Sequence, residues 1–234
     1  MLFDDIRRYA DLAPDDSILE IGTGTGRATL HYAAWGNPLT AVEPAPAMAD
    51  VARRNLAAFD NVDVRTSRFE DADLAPNSFG LVTCAQAWHW LDEATRVRRF
   101  ADLLYAHGTA AIIANIQVCP PDNLAFWERA QDVYRKHTPG MEHQGPFRTP
   151  DDLPPHPLAE SSFFEDLEQV GYAWHWTLGT DDYLALCATH SNKAALDADT
   201  RDRLLTGLGE LIEAEFGGHV TEHHVAVAGL ARRV

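Results

Sequence analysis

The sequence LEIGTGTGR, residues 19–27, places three glycines at alternate positions directly after a short apolar run. The apolar run is predicted to form a buried strand, and the residues after the turn carry the apolar spacing of a helix. Glycine has no Cβ, so Gly22, Gly24 and Gly26 allow the backbone to turn tightly and to approach another group closely. The stretch therefore predicts a strand, a turn and a helix, with the turn against a ligand or against its own helix.

The spacing of the glycines separates the possible ligands. A dinucleotide-binding turn has the pattern G-x-G-x-x-G, but Arg27 occupies the position of the third glycine. A phosphate-binding loop needs Gly-Lys followed by Ser or Thr, which the chain lacks. The pattern present is acid-x-G-x-G-x-G, led by Glu20. A carboxylate there would repel a pyrophosphate and suits a ligand with ammonium and sulfonium charges, which disfavours a nicotinamide oxidoreductase.

Predicted strands and helices alternate along the first half of the chain. Strands are predicted at 17–21, 39–43, 62–64, 79–85 and 109–116, and helices at 3–11, 25–35, 46–59 and 93–107. Such alternation indicates parallel strands joined by right-handed crossovers. Further on, helices are predicted at 123–137 and 198–216 and strands at 172–178 and 220–230. We therefore expect an α/β fold: a Rossmann-like, doubly wound, mostly parallel seven-stranded sheet with helices on both faces and an inserted lid.

The lid is predicted from a segment rich in helix breakers. Six prolines and two glycines fall between residues 138 and 160. Long loops in compact domains are usually lids or substrate walls. We therefore predict three parts: a cofactor-binding half at 1–116, a helix-and-loop lid at 117–165, and strands and helices at 166–234 that complete the same sheet.

Composition restricts the partners. Nineteen basic and thirty-five acidic side chains give a net charge of −16, which repels phosphate backbones and anionic lipids. Three cysteines lie far apart without a CxxC pair, so neither a disulfide nor a zinc site is expected. His223 and His224 should point to opposite faces of a strand, so no metal is expected there. We expect a cytoplasmic monomer or homodimer that binds no nucleic acid and no membrane.

Other candidate site residues follow the later strands. Glu43 ends the second strand about 20 residues past the first glycine, where a carboxylate accepts hydrogen bonds from ribose. Phe69 and Glu70 follow the third strand and could meet the face and amino group of an adenine. Trp88-His89-Trp90 follows the fourth strand; His89 is either a base near the acceptor or a residue bonded to the backbone. The same letters recur at 174–176, where alternation predicts tryptophans in the core.

These motifs together resemble those of a known family. The stretches are ILEIGTGTG (18–26), AVEPAPAM (41–48), SRFEDADL (67–74) and FGLVTCAQAWHWLD (79–92). Residues 17–116 resemble a class I S-adenosylmethionine-dependent methyltransferase. The AQAWHW stretch and the C-terminal part resemble its small-molecule branch, which includes trans-aconitate methyltransferase-like proteins (methyltransferase type 11).

The resemblance implies a set of site residues. The implied cofactor-binding residues are Glu20, Gly22, Gly24, Gly26, Glu43, Pro44, Met48, Phe69, Glu70, Gln86 and Ala87. Trp88 and Trp90 would form an acceptor wall, with His89 as the candidate catalytic residue. Family members usually carry a segment before the first helix that folds over the cofactor. This chain starts almost at that helix, so either residues 120–165 supply the cover or the site is more open.

The function implied is methyl transfer from S-adenosylmethionine to a small-molecule carboxylate, hydroxyl or amine, by in-line displacement that leaves S-adenosylhomocysteine. The leaving group is already good, so the protein mainly aligns the acceptor and excludes water. An alternative of another class is a cofactor-binding protein of the same fold without turnover, such as a sensor or scaffold. Both alternatives stay open because methyl transfer needs no invariant catalytic side chain.

Overall fold

The computed structural model describes residues 1–142 and 148–234. Within these residues the strands are β1 (Ile18–Ile21), β2 (Leu39–Glu43), β3 (Val62–Thr66), β4 (Phe79–Ala85), β5 (Leu104–Val118), β6 (Phe164–Gly179) and β7 (His219–Arg233). The helices are α1 (Leu2–Ala10), α2 (Thr29–Ala33), α3 (Pro46–Asn55), α4 (Arg96–Leu103), α5 (Leu124–His137), α6 (Thr180–Thr189), α7 (Ser191–Ala194) and α8 (Ala198–Glu215). Residues 143–147 of the predicted lid lie outside the described residues.

The strands form one sheet in the order β3-β2-β1-β4-β5-β7-β6. The pairings among the first five strands are all parallel. β6 and β7 run antiparallel, since Thr177 meets Thr221 at 2.8 Å and, farther along, the Val234 amide donates to the Phe163 carbonyl. The predicted seven-stranded, mostly parallel sheet is confirmed. Strand order reverses between β1 and β4, the position at which doubly wound sheets bind ligands.

The chain divides into two compact units. Residues 1–115, 154–172 and 226–234 form the first unit, and residues 116–153 and 173–225 form the second. The predicted division at 116 and 165 stays a prediction. No helix among the described residues is long and apolar enough to cross a membrane.

The first unit has a buried cluster on each face of its sheet. Alternate residues of β1 point to opposite sides, as a strand requires, so Leu19 and Ile21 join one cluster while Ile18 joins the other. The first cluster includes Phe100 of α4. The second includes apolar side chains of α1, α2 and α3, such as Tyr32. Helices therefore cover both faces, as the sequence predicts.

The second unit contains a helical core. Its buried cluster is built from α5, α6, α8 and the start of β7, and comprises Phe126, Ala130, Tyr183, Cys187, Leu204, Leu208, Leu211, Ile212 and Val220. The guanidinium of Arg129 also makes two hydrogen bonds to the Glu215 carboxylate, of 2.9 Å and 2.6 Å, which link α5 to α8. The strand prediction for residues 172–178 is too short, and α6 and α7 were not predicted.

Three predicted helices are wrong in extent, and the one predicted at 46–59 ends at Asn55 as α3. The helix predicted at 93–107 ends at Leu103, because the buried residue Leu104 already pairs with Phe79 of β4. The ladder resumes only at Thr109, so the residues between form a bulge, with His107 at φ 63°. Gly108, which reads in sequence as a helix end, belongs to this bulge. The helix predicted at 25–35 shrinks to α2 because the glycine turn occupies its first residues.

The core prediction for the paired tryptophans of β6 is also wrong. Trp174 and Trp176 are 39% and 40% exposed. Alternation gives the sides correctly, since Trp174 stacks on His224 at 4.7 Å and His175 stacks on His223 at 5.3 Å. β6 is the last strand of the sheet. Strand periodicity shows which residues share a face, but it does not show whether that face is covered.

Candidate functional site

A cavity of about 780 Å³ lies at the carboxyl ends of β1, β2 and β4 in the first unit. Ten of the eleven predicted cofactor-binding residues line it: Glu20, Gly22, Gly24, Glu43, Pro44, Met48, Phe69, Glu70, Gln86 and Ala87. The predicted acceptor residue Trp90 lines it as well. Its volume is in the range of small-molecule sites. The topology thus brings together residues that are up to 70 positions apart in the sequence.

The three glycines of the turn approach different groups. All three have positive φ, of 71°, 59° and 88° in chain order. A Cβ on Gly22 would lie 2.4 Å from the Cβ of Ala87, and one on Gly26 would lie 3.2 Å from Cδ1 of Leu56, the residue that follows α3. A Cβ on Gly24 would meet no described atom within 4 Å. The turn therefore packs against its own chain at Gly22 and Gly26, and is open to a ligand at Gly24.

Glu43 fixes the glycine turn to the end of β2. Its carboxylate accepts hydrogen bonds from the Gly24 amide at 2.8 Å and from the Ala45 amide at 2.9 Å. The side chain is only 5% exposed. Each carboxylate oxygen has two lone pairs, so capacity remains for a further donor at both oxygens. Glu43 consequently shapes the turn and faces the cavity at the same time.

Glu20 is a buried carboxyl at the same cavity. It is 1% exposed, and its Oε2 has no hydrogen-bond partner among the described residues. Burial raises the pKa of Glu20 to about 8, because the charged form is poorly solvated, whereas the nearby Thr29 hydroxyl acts to lower it without reaching Oε2 in a hydrogen bond. A buried acceptor without a partner is costly for the fold, and such groups are commonly reserved for a ligand. The cavity, which Gly24 also lines, therefore contains an acceptor for a cationic donor.

The residues after β3 form another part of the wall. Phe69 is 4% exposed and is fixed by the Arg99 guanidinium, 4.9 Å from its ring centre, and by Phe100 at 5.7 Å. Glu70 accepts hydrogen bonds from the Asp92 amide and from Arg68. Partial burial acts to raise the pKa of Glu70, but these hydrogen bonds hold it below its usual value. This part of the cavity combines an aromatic edge with an ionised carboxylate.

The stretch after β4 divides into residues that face the cavity and residues that do not. Gln86 adopts φ 60°, and its backbone amide donates to the Ile113 carbonyl at 2.9 Å. Trp90 is 77% exposed and lines the cavity. Trp88 instead lies beneath the Arg96 guanidinium at 4.6 Å and against Phe100 at 5.1 Å. Both partners belong to α4, and Trp88 is not among the described residues that line the cavity, so its place in an acceptor wall stays a prediction.

His89 and Gly26 are also not among the residues that line the cavity, as far as the chain is described. His89 is exposed, and its ring lies 4.9 Å from that of Trp90. Sequence reasoning missed nine lining residues: Ile21, Thr23, Thr25, Arg27, Ala28, Val42, Arg68, Ala85 and Leu91. Their signal was adjacency, since all but Ala28 flank a residue already predicted. Among the described residues, no group of three or more His, Cys, Asp or Glu side chains could hold a metal ion.

Comparison with known proteins assigns the first unit to a family. Residues 18–108 match the family described as a methyltransferase domain. The match covers less than half of this chain, so the likeness to a methyltransferase domain holds for these residues. The recognition of a methyltransferase from the turn and strand-end motifs is thereby confirmed. The matched range runs from the start of β1 into β5 and contains the whole lining of the cavity.

Relatives agree with this domain assignment. An uncharacterized methyltransferase of Mycobacterium tuberculosis is 35% identical over 98 residues, which are 42% of this chain and 39% of that protein. The chain thus spans about two fifths of the length of that relative. A putative type II methyltransferase from Anaeromyxobacter dehalogenans has a TM-score of 0.62 at 19% identity, covering 98% and 95% of the two chains.

A third similar protein was solved with a ligand. Phosphoethanolamine N-methyltransferase 2 of Haemonchus contortus, in complex with S-adenosyl-L-methionine, has a TM-score of 0.54 at 16% identity. The similarity covers 97% of this chain and 51% of that chain. At such identities the structural likeness shows the fold alone. The likeness to a methyltransferase domain rests on the family match.

Proposed function

We propose that this chain binds S-adenosylmethionine in the cavity at the ends of β1, β2 and β4 and transfers its methyl group to a small-molecule acceptor. The observation that carries the proposal is the unpartnered Oε2 of Glu20, in the cavity that Gly24 also lines with its open side. A primary ammonium would satisfy that oxygen and would favour its ionised form. The amino-acid end of the cofactor offers such an ammonium.

The other cavity residues fit the rest of the cofactor. Glu43 would accept hydrogen bonds from ribose hydroxyls with the lone pairs that the Gly24 and Ala45 amides leave free. Phe69 and Met48 would contact the adenine ring, and Glu70 would accept from its amino group. Arg27 lines the same cavity and is the cation available for the cofactor's carboxylate.

The chain's own chemistry in the reaction is alignment and exclusion of water. When bound, S-adenosylmethionine supplies a methyl group on a sulfonium whose leaving group is already good. Gln86 and Ala87 would border the sulfonium, and Trp90 would form part of the acceptor wall. A carboxylate acceptor needs no base, whereas a hydroxyl or amine acceptor can use one. His89 stays a candidate base for the second class only. Its ring is exposed, and no hydrogen bond orients it among the residues that the structure describes.

The acceptor class follows from charge. A net charge of −16 opposes the phosphate backbone of RNA or DNA, so a small molecule is favoured. The lid assigned to residues 117–165 stays a prediction.

The alternative of a cofactor-binding protein without turnover is distinguished by product formation. Incubation with a panel of small acids, phenols and amines should yield S-adenosylhomocysteine with at least one class, whereas a sensor or scaffold would release none.

The ribose assignment is tested by substitution of Glu43. We expect Glu43→Ala to weaken binding of S-adenosylhomocysteine at least tenfold, equivalent to about 1.4 kcal/mol, in a calorimetric titration. Because the carboxylate also accepts from the Gly24 and Ala45 amides, Glu43→Gln, which keeps one acceptor oxygen, is the milder companion variant. Glu93→Ala removes a carboxylate that is 90% exposed in its side chain and lies outside the cavity lining. Equal affinity in Glu43→Ala and Glu93→Ala would overturn the assignment.

A further inference from the structure

The second unit contains a buried lysine in a chain that otherwise uses arginine. Only two of the nineteen basic side chains are lysines, Lys136 and Lys193. Lys136 is exposed on α5, whereas Lys193 is 6% exposed. Lysine is rarely buried unless a charged partner accompanies it. Among the described residues, no carboxylate lies within 4.0 Å of the Lys193 ammonium.

The contacts of Lys193 are neutral ones. Its Nζ lies 3.2 Å from Nδ1 of His190 and 5.6 Å from the ring centre of Tyr134. Burial and the nearby lysine charge lower the pKa of His190, so its Nδ1 serves as an acceptor. The ammonium has three N–H groups, and this histidine engages one of them. The remaining donors have no anionic acceptor among the described side chains.

A second cavity, of about 340 Å³, lies at this lysine and is lined entirely by residues of the second unit. Its aromatic walls come from Trp127, Tyr134 and Tyr183. The volume lies at the small end of the range for small-molecule sites. Flat aromatic walls around one buried cation suit a flat ligand with one anionic group.

The buried acid in this cavity limits the ligand's charge. Glu222 is 3% exposed, and its Oε2 accepts a hydrogen bond from Nε2 of His224 at 3.0 Å. Glu222 and Lys193 line the same cavity without forming an ion pair within 4.0 Å. The exposed Arg148 lines the same cavity, so the cavity's charged side chains carry one net positive charge. A phosphate dianion would exceed that charge and would place a second negative charge near Glu222 in a poorly solvated site. A single carboxylate avoids that repulsion, and a hydroxyl elsewhere on the ligand could donate to Glu222.

We infer that this cavity binds a small planar monocarboxylate, whose carboxylate pairs with Lys193 and whose hydroxyl or amino group faces Glu222. The site is separate from the cavity that contains Glu20 and shares no residue with it. The inference therefore stands without any assumption about methyl transfer. A molecule such as 4-hydroxybenzoate has the required charge, planarity and donor, and it is a suitable probe.

The experiment is calorimetric titration of the full chain with 4-hydroxybenzoate, its neutral amide 4-hydroxybenzamide, and inorganic phosphate. We expect the carboxylate to bind at least tenfold more tightly than the amide, and phosphate not to bind. Lys193→Met should weaken carboxylate binding at least tenfold, while Lys136→Met, which removes the exposed lysine, should leave it unchanged. Circular dichroism checks that both variants fold.

Several outcomes would overturn the inference: equal affinity for acid and amide, binding of phosphate in preference to the acid, carboxylate binding that survives in Lys193→Met, or no binding by the wild-type chain. If Lys193→Met does not fold, Glu222→Gln keeps the test decisive. Removal of that negative charge should tighten binding of the carboxylate severalfold without the same gain for the amide. An equal gain for both, or no gain, would contradict a carboxylate held near Glu222.

Discussion

The glycines of the turn differ in what a side chain would meet at each position. Gly22 is required because a Cβ there would overlap Ala87, and Gly26 because a Cβ there would crowd the end of α3. Gly24 is required by its positive φ alone. Sequence spacing shows that a tight turn exists, but it cannot show which glycine faces a ligand, because that depends on chain segments 30 to 65 residues away. The structure divides the three positions into two that serve packing and one that serves binding.

A pair of alanine substitutions tests this division. We expect Gly22→Ala to lower the free energy of unfolding by about 2–4 kcal/mol, since its Cβ would overlap Ala87 and its φ is positive. Gly24→Ala should cost about 1 kcal/mol of stability, from its backbone conformation, but should weaken S-adenosylhomocysteine binding at least tenfold. Urea unfolding and calorimetric titration measure the two effects. Equal losses of stability in both variants would contradict the assignment.

The buried carboxyl of Glu20 predicts a pH dependence of the ligand-free protein. Its folded-state pKa of about 8 exceeds the ordinary 4.5, so the folded state holds a proton that the unfolded state releases between these values. Stability should therefore fall as pH rises from about 5 towards 8. In Glu20→Gln this loss should be smaller, because glutamine does not titrate. Thermal unfolding measured across that range tests this, with Glu93→Gln as the exposed control. Equal responses to pH in the wild type and in Glu20→Gln would contradict the expectation.

At the scale of elements, alternation of strands and helices was predictable through residue 116, and long-range pairing was not. The bulge in β5 has no local signal beyond Gly108, which reads equally well as a helix end. The exposure of Trp174 and Trp176 depends on β6 being the last strand of the sheet. Both errors arise because tertiary partners decide an element's length and cover.

A further element-scale feature is the link between the first loop and β2. The side-chain amide of Asn37 is 6% exposed and donates to the carbonyls of Ala13, Pro14 and Asp16 at 2.8, 3.3 and 3.0 Å. This link holds the loop after α1 against the start of β2.

We expect Asn37→Ala to lower the free energy of unfolding by about 1–3 kcal/mol, because the loop would lose the hydrogen bonds that this buried side chain donates. Asn37→Asp keeps the size but has no donor, so it should destabilise at least as much. Urea unfolding of the three proteins measures this. Wild-type stability in Asn37→Asp would show that the amide's hydrogen bonds are unimportant.

For the whole molecule, the sequence predicted the first unit and its cavity far better than the second unit. The first unit's site consists of short motifs at strand ends, each readable locally. The second unit's cavity depends on Lys193, Tyr134 and Glu222, which are separated by up to 88 residues and carry no motif. Composition showed only that lysine is scarce in this arginine-rich chain. The burial of Lys193, which is unusual for a lysine, is visible only in the structure. The family match likewise ends at residue 108, within the first unit.

The central claim is that the cavity at the ends of β1, β2 and β4 binds S-adenosylmethionine. Its most direct test is calorimetric titration of the purified chain with S-adenosylhomocysteine, and separately with NAD. We predict micromolar binding of S-adenosylhomocysteine at one site per chain, at least tenfold weaker in Gly24→Ala, and no binding of NAD. A folded chain that binds NAD, or that does not bind S-adenosylhomocysteine, would contradict it.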